Sequence, residues 1–263
     1  MSDLRLKNKF LRADLQRSFG CMRFPMAVIL VIVALLFGIG GDLQVVDNVG
    51  YMVSLAMNGM GIMLLLPVAA GVYAGSFRED LEHWYIRDIV VRGNQKAYVS
   101  MRCSVIFFSA VVVTTVGLLL LVLGARCLMP WVQAGDSMCE TMQNAGVFGC
   151  FLKQHWYVVY YLLFGLQLGC MTGVLSVASA VLSLFIPNRM LVVASPLFLY
   201  YFLEQFLFGL FPIPVMGLLD LWNLKVAMID NKPLQSFLIM AGLTAVLFCL
   251  LEKVADYRIR RLM

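Results

Sequence analysis

The 263-residue sequence has little charge. Asp, Glu, Lys and Arg make up 13% of it, against 62% for the apolar types, whereas soluble domains are about a quarter charged and about half apolar. That shortage excludes an ordinary water-soluble globule. Histidine is also scarce: His83 and His155 are the only two, and they are expected on opposite sides of a membrane, so a histidine-based zinc site has no ligand set. The 7 cysteines contain no CxxC pair and no metal-ligand spacing. There is no GxxxxGK[ST] loop to cradle nucleotide phosphates and no GxSxG nucleophile turn. Paired intramembrane aspartates are missing too. The chain therefore carries no recognisable hydrolytic chemistry of its own. Its first twenty residues are polar and charged, with no short apolar core before a small-residue cleavage site, so no cleavable leader is expected.

Long apolar runs are abundant instead. They predict an all-α membrane protein with six transmembrane helices near 25–41, 55–75, 103–123, 158–185, 190–211 and 235–251, in a single transmembrane domain over 1–263. Pro67 should bend the second span, because it removes one backbone hydrogen bond. Residues 4–19, within a leading segment 1–24, place Leu4, Leu11, Leu15 and Phe19 among Lys7, Lys9, Arg12 and Arg17. That pattern predicts an amphipathic helix lying in the headgroup plane. Residues 126–156 form the largest outer loop. Residues 212–234, with Pro212, Pro214, Gly217 and Asp220, read as an outer re-entrant or interfacial hairpin. Residues 252–263 read as a basic cytoplasmic tail.

Charge distribution sets the orientation. Sixteen of the 20 Lys and Arg residues fall in the leading segment, the interval 76–102, the turn at Arg189 and the C-terminus. By the positive-inside rule these are cytoplasmic, and the basic clusters report topology and lipid headgroups rather than nucleic acid. Cys127, Cys139 and Cys150 lie in or near the outer loop, where a Cys139–Cys150 bridge and free thiols both remain open readings.

The interval 76–102, SFREDLEHWYIRDIVVRGNQKAYVSMR, is the longest charged stretch between apolar runs. Ser76 followed three residues later by Glu79 predicts a capping box, and Gly93-Asn94 predicts a helix stop. Phe77, Leu81, Trp84, Tyr85 and Ile89 fall near one face at helical spacing. The expectation is a short helix with an aromatic stripe and a charged back, either docking a soluble partner or simply capping the bundle. Within the spans, Glu204 is the clear intramembrane acid, about 14 residues past the inner end of its span and so ~21 Å deep. It lines a pathway or snorkels to the outer interface; Asn58 and Gln167 are weaker candidates of the same kind. Gly165, Gly169 and Gly173 recur every fourth residue and permit close helix approach, within the chain rather than across a dimer.

The order of these elements resembles the type-2 permeases of ATP-binding-cassette (ABC) exporters. At the residue level Glu79 supplies the acid of the inner loop, Gly93-Asn94 its turn, Lys96 and Tyr98 the next pair and Arg102 the final cation, while His83 stands where the family commonly has glycine. The resemblance implies a permease subunit in a bacterial plasma membrane, with both termini cytoplasmic. It implies a separate ABC ATPase subunit that carries the ATP and magnesium, so that this chain binds no cofactor itself, and a second permease copy or homologue. It also implies that the leading helix and a coupling helix over 77–92 contact that ATPase through Phe77, Glu79, Leu81, Glu82, Trp84, Tyr85, Arg87 and Arg92. The apolar pathway then favours an amphipathic or hydrophobic cargo such as a peptide, lipid-like molecule or drug. A membrane immunity or sequestration protein, binding a peptide or lipid without turnover, is the alternative.

Overall fold

The computed structural model describes residues 11–12, 14–40, 46–58, 60–83, 95–132, 148–204 and 233–262, and every regular element among them is helical. In chain order these are α1 (Arg23–Ile39), α2 (Val49–Asn58), α3 (Met60–Gly71), α4 (Ser76–Glu82), α5 (Gln95–Arg126), α6 (Gly149–Lys153), α7 (Tyr157–Leu182), α8 (Arg189–Phe202) and α9 (Pro233–Leu262). Residues 14–19 are helical as well. Four helical stretches are long and apolar enough to cross a membrane: Met60–Glu82, Gln95–Arg126, Tyr157–Leu182 and Phe237–Arg261. The protein is thus a membrane-embedded helical bundle. α1 and α8 are apolar but shorter, at 17 and 14 residues, so length alone supports four of the six expected crossings. The expected hairpin at 212–234 lies almost entirely outside the described residues.

Several boundaries move from the sequence expectation, each for a local reason. α2 begins at Val49, inside the expected outer loop, because the Asn48 Oδ1 accepts the Tyr51 N–H at 2.7 Å and so caps the new helix. α5 begins at Gln95, eight residues before the expected apolar start. Its polar first turns are tolerated because their side chains find partners: Gln95 Nε2 donates to the Asp256 carboxylate at 2.8 Å, and Tyr98 and Arg102 join the cluster described below. The expected C-terminal tail is helical. α9 runs on to Leu262, held there by Arg258 over the Phe185 ring at 4.5 Å and by the Arg260–Asp256 ion pair at 2.7 Å. At the turn before α8 the Asn188 side chain accepts the Met190 N–H at 2.9 Å.

The core is built on α5 and α7, which share the most extensive contact between helices. The glycine row on α7 faces α5 of the same chain. A Cβ on Gly173 would meet the Phe107 ring at 2.7 Å, one on Gly169 the Val111 carbonyl oxygen at 3.0 Å, and one on Gly165 the Thr115 methyl at 3.2 Å. A hydroxyl pair, Thr114 to Thr172 at 3.0 Å, crosses the same seam. α1 crosses α3 at Gly38 and Gly61, where a Cβ on Gly38 would come within 2.7 Å of the Gly61 Cα.

The two ends of the bundle differ in chemistry. One end carries an aromatic cluster in which Trp131 stacks on Tyr157 at 5.2 Å and on Tyr161 at 6.1 Å, with Arg126 over Trp131 at 5.5 Å. Tyrosine and tryptophan favour this level because their rings are apolar and their polar atoms reach water. The opposite end gathers Arg23, α4, the start of α5, Arg189 and the last turns of α9.

Candidate functional site

The chemistry concentrates where α4 meets the first turns of α5. Arg102 is among the largest fully buried side chains, with 2% of its surface exposed. Its guanidinium is ion-paired with two carboxylates, Asp14 through Nη1 and Asp80 through Nη2. Nη1 also donates to the Tyr73 hydroxyl at 2.6 Å, and that hydroxyl donates to Asp14 at 3.1 Å. Nη2 reaches the Ser76 carbonyl at 3.4 Å, and the Tyr98 hydroxyl donates to Asp80 at 2.6 Å. The guanidinium lies over both tyrosine rings, 5.1 Å from the centroid of Tyr73 and 5.8 Å from that of Tyr98. Arg17, more than half exposed, approaches Asp80 at 3.7 Å. Burial pushes the Asp14 carboxyl above the ordinary carboxylate range, against the opposing pull of Arg102.

This cluster joins three pieces of chain: the leading segment through Asp14, the α3–α4 corner through Tyr73, Ser76 and Asp80, and α5 through Tyr98 and Arg102. A buried ion pair is weak evidence of net stability, but its geometry is demanding, and breaking one side leaves an uncompensated charge. The cluster therefore fixes the angle at which α4 leaves α3 and meets α5.

On its outer side α4 presents charge. Glu79 pairs with Arg23 at 3.2 Å. Glu82 accepts from Arg78 one turn earlier at 3.0 Å and also pairs with Arg189 across the turn that leads into α8. α4 is thus tied underneath by a buried network and at its rim by exposed ion pairs, which individually add little.

Two expectations about this helix are corrected. Ser76 is not a cap: Gly75 occupies that position without a side-chain bond, and Ser76 is buried in the first turn. The reason is that the chain never straightens between α3 and α4. Turn bonds from Tyr73 and Ala74 to the Ala70 carbonyl, from Ser76 to Tyr73 at 3.1 Å and from Glu79 to Gly75 at 3.0 Å already satisfy the N–H groups a capping box would serve. Phe77 is not a docking residue: it is fully buried and packs edge-to-face on Tyr98, with centroids 6.2 Å apart. Leu81 is half-buried and packs against the core. Glu79 and Glu82 remain at the surface in ion pairs. Trp84, Tyr85, Arg87 and Arg92 lie outside the described residues.

Among the expected pathway residues, Gln167 is buried within α7 and Glu204 is half-buried in a π-helical turn that extends α8. Asn58 ends α2. Cys103 is buried within α5, while Cys150 carries an exposed free thiol. Among the described residues no group of three or more His, Cys, Asp or Glu side chains is placed to hold a metal ion.

The sequence reading missed the cluster. It treated Arg102 as the final cation of the inner loop and gave Asp14, Tyr73 and Asp80 no role. Two signals were present. Within the expected helix 4–19 Asp14 is the one acid among five cations, and Tyr98 and Arg102 are four residues apart at the start of an apolar run, which places both on one helical face.

No family model, no curated protein and no solved structure matches this chain.

Proposed function

We propose that the chain is the membrane-spanning permease subunit of an ATP-driven exporter of the type-2 ABC class, working with a separate ATPase subunit and a second permease copy or homologue. In this reading the chain crosses the membrane six times, with the shorter apolar helices α1 and α8 counted among the crossings. The basic end of the bundle is cytoplasmic. The cargo is amphipathic or hydrophobic.

The observation that supports the reading most is the mounting of α4. A helix that receives force from a moving ATPase must be charged outside and rigidly fixed inside. α4 carries Glu79 and Glu82 at its surface, while Asp80, on the other face, is fixed to Arg102 of the long α5. The same guanidinium holds Asp14 of the leading segment. A displacement of α4 is therefore passed to α5 and to the leading segment together, and α5 runs on through 32 residues to the aromatic end. Closure of the ATPase dimer would tilt this unit as one body and change the packing at the far end. The chain itself binds no nucleotide in this scheme.

Gentle purification of the tagged protein with the products of its neighbouring genes tests the reading. The expected result is a stoichiometric ATPase that is lost on Trp84→Ala or Tyr85→Ala with membrane insertion intact. A solitary membrane protein whose activity survives both substitutions would point to sequestration of a peptide or lipid and would remove the permease reading.

A further inference from the structure

We propose that a cleft at the basic end of the bundle is a binding site for the phosphate headgroup of an anionic phospholipid. This inference does not rest on the exporter reading. The cleft encloses about 150 Å³ between the start of α1, the α3–α4 turn and the start of α8. That is room for about five waters at roughly 30 Å³ each, the scale of a phosphate with a short polar substituent. Arg23, Arg78 and Arg189 line it, together with Glu79. The ion pairs of this region set these three guanidinium groups against two carboxylates, Glu79 and Glu82, leaving an excess of one positive charge. Each guanidinium has five N–H donors in a planar fork, and the named ion pairs use one from each. The remaining forks match the oxygens of a phosphate, which accepts such donors in pairs.

The surroundings favour a lipid over a free anion. Arg23 and Arg189 each stand at the first residue of an apolar helix, the level at which headgroups lie. Val192 and Val193 form the apolar wall of the cleft. From there an exposed strip runs along α3 through Gly71, Leu64 and Met60, residues that share one helical face, and α3 packs against both α1 and α8. At the junction between cleft and strip Gly71 presents no side chain: a Cβ there would make only ordinary contact with Val193 at 3.9 Å, and a larger side chain would fill the passage. A headgroup held by the arginines would lay its acyl chain on this strip, whereas inorganic phosphate would have no use for it.

Native mass spectrometry of the full chain in detergent, titrated separately with phosphatidylglycerol and phosphatidylcholine, tests the proposal. Wild type should retain one phosphatidylglycerol in preference to phosphatidylcholine. Arg23→Gln combined with Arg189→Gln should weaken that retention about 30-fold, at about fivefold per basic residue. Arg260→Gln, outside the cleft, should leave it unchanged. Gly71→Leu removes no charge and should still weaken phosphatidylglycerol retention by obstructing the acyl strip, which reads the site independently if the double variant does not fold. Equal retention by wild type and both variants would overturn the proposal. Displacement by inorganic phosphate together with indifference to Gly71→Leu would overturn it in favour of a free-anion site. A two-chain species that disappears in the double variant would overturn it in favour of contact between copies.

Discussion

Arg102 holds two carboxylates with two different nitrogens, and that detail decides what its substitutions do. Arg102→Met strands Asp14 and Asp80 in a buried setting, and the expected loss is about 3–5 kcal/mol of unfolding free energy, measured by denaturant titration in detergent. Arg102→Lys should recover little of it, because an ammonium is a single point and cannot reproduce the fork. Replacing Asp14 and Asp80 by Asn in the Met background should restore most of the loss, since no charge is then left uncompensated. Asp14 adds a pH dependence. Burial raises its carboxyl above the unfolded value, so between the two values the folded state binds more protons than the unfolded one. Its contribution to stability is therefore present at low pH and is lost as pH rises through the raised value. Wild type should gain stability relative to Asp14→Asn as the pH falls from 7 toward the ordinary carboxylate range, and a pH-independent gap between the two would contradict the assignment.

At the scale of the helix, small residues set the distances. α7 meets α5 across Gly165, Gly169 and Gly173, and these close approaches leave no room for a larger side chain without a shift of the facing backbone or side chain. Gly169→Val should cost about 1–3 kcal/mol by overpacking, read in the same denaturant titration, whereas Gly124→Ala, which meets no neighbour within 4 Å, should be close to neutral. This seam was legible in the sequence because a four-residue glycine period maps directly onto one helical face. The helix ends were less legible. An apolar-run reading starts α5 at Cys103 because it counts Gln95, Tyr98 and Arg102 as loop; their partners Asp256, Asp80 and Asp14 are distant in sequence, and nothing local announces them. The capping box failed in the opposite sense: the local pattern at Ser76 is correct in form, but the preceding turn had already satisfied the backbone. The charged rim of α4 was visible in composition, while its buried underside became visible only through tertiary contacts.

At the scale of the molecule, the bundle has a basic end and an aromatic end, and it exposes its apolar side chains between them. Among the described residues α9 is the least enclosed of the long helices, with 11% of its most apolar stretch buried. Cys21 belongs to the basic end, and Cys127 and Cys150 belong to the aromatic end; all three are exposed. In variants retaining one of these cysteines each, a membrane-impermeant maleimide should label Cys21 from one side of the membrane and Cys127 and Cys150 from the other. Labelling of all three from the same side would contradict the placement of the basic and aromatic ends on opposite sides of the membrane. The buried cluster has a further consequence, for the order of synthesis. Asp14, Tyr73, Ser76 and Asp80 all precede Arg102 in the chain. A ribosome releases the acceptors before the guanidinium, so the cation enters the membrane with its counter-charges already made. Reversing that order by circular permutation would deliver a bare arginine to the insertion machinery first, and the finished fold would be the same while the route to it would not.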